Sequence, residues 1–260
     1  MAGEFLVPGL NLYGNLINII IINKKSGISN KMFHLWMIIY LVSVLICFTI
    51  TYTTFFVKKP NQTRKLFGTV TLILGTICIL DFLSQVAGPT DQSIYMQKII
   101  IVIYPFATFI AMLIPRTLCM PLKNRTLLKI LMFPVMIGLF SISMGGIVTG
   151  AEASCLNELI FVKFLYLEDI YSMWIFANFL PVIVFYYYSG KILKSPAVKS
   201  NKEVMNRLKI FILAFTVLVV LVFAFGIAEV VFGTPPLSSL SSAIATSLAM
   251  VAFKLGNEKM

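Results

Sequence analysis

Between Lys191 and Phe232 the sequence changes character once, from charge to hydrocarbon. Lys191, Lys194, Lys199, Lys202, Arg207 and Lys209 fall within nineteen residues, relieved only by Glu203. The run from Ile210 to Phe232 is then apolar and carries one ionisable residue, Glu229, near its far end. At helical rise such a run reaches roughly 34 Å, enough to cross a hydrocarbon layer about 30 Å thick. Cationic residues beside a membrane helix fix which of its ends stays in the cytoplasm. An acid inside the bilayer is a functional candidate by default. Orientation and candidate chemistry therefore meet on one helix.

The rest of the chain repeats the theme. Of its 260 residues 59% are hydrophobic and only 12% are charged, against about 25% charged in a soluble domain. The mean hydropathy is +0.94, and the apolar residues gather in runs of membrane-spanning length. Seven spans are expected: His34–Val57, Phe67–Gly88, Ile94–Ile114, Leu127–Thr149, Ile170–Ser189, Ile210–Phe232 and Pro236–Lys254. The segment Gly150–Asp169 is expected to be a loop. The expected fold class is an all-α membrane protein, a seven-transmembrane helix bundle occupying residues 32–256, with a cytoplasmic tail at 257–260. Residues 1–31 are expected to be an extracytoplasmic segment or an expression leader. Asn15–Ile22 is apolar, but Pro8, Gly9 and Gly14 interrupt its surroundings, which leaves an extra short span across residues 5–22 open. A signal peptide is not expected, since no basic region precedes the apolar part.

Loop charge gives the sidedness. With the first, third and fifth loops and the C-terminus inside, 16 of the 21 basic residues are cytoplasmic. Outside remain Lys24, Lys25, Lys31, Lys98 and Lys163. The expected topology is N-terminus outside and C-terminus cytoplasmic, in a cell (inner or plasma) membrane of prokaryotic type. Glycosylation at either sequon, Asn61-Gln62-Thr63 or Asn124-Arg125-Thr126, would contradict it. The formal charge of +11 does not point to nucleic acid, because the basic residues sit in short loops with no solvated groove. Anionic inner-leaflet lipid is the expected contact. Cys47, Cys78, Cys119 and Cys155 lie far apart and His34 is the single histidine. Neither a metal site nor a cofactor is expected.

Candidate ligand-binding residues are Asp81, Gln85, Lys98 and Glu229. Asp81, Ser84, Gln85 and Gly88 follow i, i+3, i+4, i+7 spacing and form one polar stripe. A carboxylate at this depth costs several kcal/mol (about 2.5–3.5 at mid-helix) unless paired, neutralised or wet, so the stripe is expected to face the bundle interior. Glu229 lies at similar height on the sixth span. Lys98, one turn into the third, is the expected basic partner. Two readings stay open: an outward-facing polar pocket with Tyr95 and Tyr104 in its lining, or interhelical hydrogen bonding with Glu229 wet at the interface. Pro105, Pro134 and Pro181 are expected kinks, tolerated where neighbours satisfy the freed carbonyls. Ser238, Ser242, Ala245 and Ala249 share a face of the last span, which permits close helix approach. Packing within the chain and a homodimer through that face are the alternatives. No catalytic residue is expected: acidic pairs for prenyl chemistry, zincin motifs and a serine–histidine arrangement are all missing.

Three stretches carry a resemblance: MPLKNRTLLKILMF (residues 120–133), FANFLPVIVFYYYSGKILKSPAVKSNKEVMNRLKIFILAF (176–215) and GTPPLSSLSSAIATSLAMVAFKLGNE (233–258). Together the chain resembles the seven-transmembrane N-terminal sensor region of prokaryotic histidine kinases over roughly residues 32–258. In that family a proline-containing outer turn leads into a last helix that exits into cytoplasmic signalling domains. Pro235 and Pro236 hold the place of the turn, and Lys254 to Met260 that of the exit. The resemblance implies a membrane sensor without catalysis of its own, signalling to a cytoplasmic kinase or response protein in cis or trans. Residues 1–260 hold no kinase domain, so the expectation is either part of a longer chain or a stand-alone sensor that signals through a partner. The rival expectation is a small-solute transporter, from a faint three-plus-one-plus-three repeat that places Asp81 and Glu229 in corresponding outer halves.

Overall fold

The computed structural model describes residues 30–56, 60–118, 122–143, 147–156, 159–232, 234 and 237–254. The expected N-terminal segment (up to residue 29), the Pro235-Pro236 turn and the tail at 257–260 lie outside them. In chain order the elements are α1 (Asn30–Phe55), α2 (Gln62–Ala87), α3 (Asp91–Ala111), α4 (Ile114–Thr117) and α5 (Asn124–Ser143). Next come β1 (Val148–Leu156), β2 (Leu159–Tyr166), α6 (Glu168–Leu193), α7 (Pro196–Lys199), α8 (Lys202–Phe232) and α9 (Ser238–Lys254). Among the described residues six helices are long and apolar enough to cross a membrane, which makes this a multi-pass membrane protein. The seventh apolar helix, α9, is shorter at 17 residues.

Helix starts follow local chemistry. Asn61 accepts the Arg64 backbone N–H at 2.9 Å and caps α2. Thr90 and Ser93 exchange side-chain and backbone bonds in a capping box at the start of α3. Between these helices Gly88 takes φ 70°, a left-handed turn that L side chains rarely adopt.

The expected all-α fold needs one addition. The fourth span, described as Asn124–Ser143, does not run to Thr149, which lies in β1, and the expected loop is an antiparallel hairpin of β1 on β2. Residues 161–166 (Phe-Val-Lys-Phe-Leu-Tyr) are β-branched or aromatic apart from Lys163 and Leu165, a composition suited to a half-buried strand. Val162 and Phe164 pack with Ile147, Val148 and Ile101 in a satellite core. On the other face Lys163 pairs with Glu152 across the strands at 3.7 Å, both half-exposed.

The helices alternate between the hairpin end and the opposite, basic end. α1 and α2 approach closely: a Cβ on Gly68 would stand 2.9 Å from the Phe55 ring, and one on Gly75 2.9 Å from that of Phe48. Between them the Thr51 and Thr71 hydroxyls meet at 2.9 Å. α2 and α3 are the most deeply buried of the long helices, while α5, α6 and α8 leave large apolar side chains outward, such as Phe176 and Leu213. Such exposure is what a lipid-facing surface requires. α9 packs against α8, α1 and α2. Ser242, Ala245 and Ala249 are buried there, while Ile244, Ser247 and Val251 form the exposed strip. The small-residue face is thus occupied within the chain, and the homodimer expected through it has no open surface on those residues.

Prolines are accommodated as expected at Pro105. A proline cannot donate to the carbonyl four residues before it, which leaves Ile101 C=O free, and the Trp174 indole N–H donates to it at 3.1 Å. At the basic end the Gln62 amide N–H donates to Leu122 C=O at 3.0 Å, and Leu122 N–H donates to its amide oxygen at 2.7 Å.

Candidate functional site

The hairpin-end turns of α2 put three polar side chains inside the protein: Asp81, Ser84 and Gln85 are at most 7% exposed. The polar stripe does face the interior. A buried carboxylate needs donors, and Asp81 finds them on α9. The Ser238 and Ser239 hydroxyls both donate to its Oδ2, each at 2.9 Å. Ser84 turns its hydroxyl back to the Asp81 carbonyl at 2.8 Å. One turn earlier Cys78 sits 3.9 Å from Ser239 C=O, so a second α2 side chain meets the first turn of α9.

Gln85 does something different. Its amide nitrogen donates to Val162 C=O at 3.1 Å, and Val162 N–H donates to its amide oxygen at 2.8 Å. Antiparallel pairing alternates hydrogen-bonded and open positions, and Val162 faces off the β2 edge. The glutamine amide satisfies both groups, as a neighbouring strand would. Asp81 and Gln85, four residues apart on one helix face, therefore hold two separate elements: α9 and the hairpin.

Glu229 is half-buried on α8, within electrostatic range of Asp81 and of Lys163. No described residue donates a hydrogen bond to it. The expected Asp81–Lys98 pairing is replaced by the two serine hydroxyls. Lys98 is half-buried on α3, and Lys163 of β2, which pairs with Glu152, lies within electrostatic range of Glu229. Tyr95 is 67% exposed and lines nothing. Tyr104 packs on Trp174, ring centroids 5.6 Å apart.

Sequence reasoning missed the aromatic side of the cluster. Tyr166 stacks on Tyr171 at 4.3 Å, and Tyr171 on Trp174 at 5.8 Å. The Tyr166 hydroxyl accepts from the Gln97 amide at 3.1 Å, while Gln97 Oε1 is buried without a partner. Burial pushes the Tyr166 phenol well above its ordinary range, and the charges of Tyr171, Glu229 and Asp81 add to this against the opposing Gln97 hydrogen bond. The Tyr166/Tyr171/Trp174 spacing follows neither a helix nor a strand period because the chain turns from β2 into α6 there. The Ser238-Ser239 pair was legible as small-residue packing, but its hydroxyl donors were not foreseen as partners of Asp81.

Among the described residues no three histidine, cysteine or acidic side chains gather as a metal site would require. Comparison with protein-family models and with curated proteins finds no match.

Proposed function

We propose that this chain is a membrane sensor: it detects an extracytoplasmic or membrane-borne signal and passes it through its last helices to a cytoplasmic signalling partner. In this reading α9 is a seventh span, the hairpin end faces outward and the C-terminus faces the cytoplasm, as the loop charges favour. The resemblance to histidine-kinase sensor regions agrees with that arrangement. One observation carries the proposal. A single turn of α2 binds the hairpin through Gln85 and the first turn of α9 through Asp81. A displacement of the hairpin is therefore mechanically linked to the helix that ends at the opposite face. Signalling further requires a ligand that favours one of two arrangements.

The test uses the full chain in lipid nanodiscs with a spin label at Val251, on the exposed strip of α9. Gln85→Leu should raise amide exchange in the hairpin and also change the mobility of the distant label. A loosened hairpin with an unchanged label sinks the coupling. Independently, a thiol-reactive probe at Lys199 should react from the cytoplasmic side only; labelling from outside intact cells inverts the topology.

A small-solute carrier is the second reading, favoured by the half-buried Glu229 without hydrogen-bond donors. Proton-coupled uptake in proteoliposomes that Asp81→Asn abolishes would select it over the sensor.

A further inference from the structure

Sequence spacing keeps the cysteines apart, but folding brings two of them together. Cys47 of α1 and Cys78 of α2 are free thiols at 0% exposure, and their side chains lie within hydrogen-bonding range of one another. The seam is tight at this level. Gly75 stands one turn before Cys78, and a Cβ built on it would be 3.3 Å from the Cys47 Cβ. A disulfide needs Cβ atoms about 3.5–4.5 Å apart, so α1 and α2 approach here within the range that such a bond demands.

Each thiol also has a partner on α9. Cys47 Sγ is 3.8 Å from Thr246 Oγ1, and the Cys78 S–H donates to Ser239 C=O at 3.9 Å. The Thr246 hydroxyl donates to Ser242 C=O at 2.7 Å, so toward Cys47 it accepts. Both S–H groups therefore point to α9, two turns apart along it, which leaves sulfur beside sulfur between α1 and α2.

Two chemistries suit a buried thiol pair: capture of a thiophilic cation and oxidation to a disulfide. Charge decides between them. A cation held by two thiolates requires the loss of both protons, and a monovalent one leaves a net negative charge. Among the described residues the charged group acting on the pair is Asp81, an acid one turn along α2, so that charge is opposed. A disulfide is neutral, and it needs no cavity because the two sulfur atoms close on each other.

We infer that Cys47 and Cys78 form a redox modification site, which a small peroxide converts to an α1–α2 disulfide that releases two holds on α9. One sulfur attacks a peroxide oxygen, the O–O bond breaks, and the thiol proton leaves in water as the sulfenic acid forms. The second sulfur attacks the sulfenic sulfur, the S–O bond breaks, and a second water carries off the other proton. Two electrons pass from the sulfurs to the peroxide. With both S–H groups gone, Ser239 C=O and Thr246 Oγ1 each lose a donor. The reaction is slow, because covered, protonated thiols are poor nucleophiles. It holds for the sensor and carrier readings alike.

The experiment uses the full chain in lipid nanodiscs with Cys119→Ser and Cys155→Ser, so that only this pair of thiols remains. After prolonged exposure to hydrogen peroxide the protein is denatured, alkylated with N-ethylmaleimide and mapped by peptide mass spectrometry. Both labels should be lost and a cross-linked peptide should join Cys47 to Cys78, while dithiothreitol before alkylation should restore both labels. Amide exchange over residues 239–246 should rise in the oxidised protein. Under the same peroxide, a variant with Cys47→Ala and Cys78→Ala should show no such rise, which separates the effect from methionine oxidation. Cys47→Ser, which keeps a hydroxyl for Thr246, serves the same purpose should the double variant fail to fold. Two unreacted thiols, or cysteines oxidised singly without a cross-link, would overturn the site. A cross-link that leaves α9 exchange unchanged would overturn the release of α9.

Discussion

A glutamine amide carries one donor and one acceptor about as far apart as those of a backbone residue, so Gln85 can close the β2 edge at Val162 with both. Gln85→Leu keeps the bulk and strands two backbone groups, each costing about 1–3 kcal/mol if water cannot reach it. Gln85→Glu keeps the acceptor for Val162 N–H but, when ionised, turns an oxygen toward Val162 C=O. Leucine should therefore expose both Val162 groups and glutamate chiefly the carbonyl, with hairpin exchange faster in each. Exchange at Val162 no faster than in the unaltered protein would count against the clamp. Trp174 permits a parallel test. Trp174→Phe retains ring contact with Tyr104 and Tyr171 but deprives Ile101 C=O of its donor. The expected loss is about 1–3 kcal/mol, read as a lower unfolding temperature in detergent. An unchanged midpoint would mean that the freed carbonyl finds another donor.

At the level of elements, the α1–α2 contact depends on two glycines a heptad apart, and they should not respond alike. The nearest atoms a methyl on Gly68 meets are those of the Phe55 ring, the far end of a side chain that can swing. A methyl on Gly75 meets the Phe48 ring and also the Cys47 Cβ at 3.3 Å, which is fixed to the helix. Gly75→Ala should therefore cost more than Gly68→Ala, within the 1–3 kcal/mol typical of overpacking, as measured by denaturant unfolding in micelles. The reverse order would refute this account of the seam. Element positions were largely legible beforehand, because runs such as Leu66–Leu80 are too apolar for any other environment. The hairpin was not. Its apolar residues continue almost directly from those of α5, and hydropathy alone ran the fourth span on to Thr149, into what is β1 from Val148. The candidate site divided along the same line. The inward stripe of Asp81, Ser84 and Gln85 follows from helical period, whereas Ser238, Ser239, Val162 and Tyr166 reach it only through tertiary contacts.

For the whole molecule, the described charges separate along the bundle. Asp81, Asp91, Glu152, Glu168, Asp169 and Glu229 lie toward the hairpin, and Glu203 is the single described acid at the other end. The acids bear little on orientation; the lysines and arginines gathered at that other end are what favour a cytoplasmic placement for it. A further consequence lies in α9. Its 17 residues rise only about 26 Å, and its first two, Ser238 and Ser239, are committed to Asp81. In the proposed reading of α9 as a seventh span, its described residues are several ångströms short of an average hydrocarbon layer. Hydrophobic mismatch of this sign is relieved by local bilayer thinning, so headgroups and water would dip beside α9 toward the Asp81 end. The protein should be more heat-stable in short-chain than in long-chain phosphatidylcholine at equal lipid content, and a flat dependence on chain length would show that no mismatch exists. Membrane thickness would then act on this molecule as a variable of its own, with α9 as the helix that registers it.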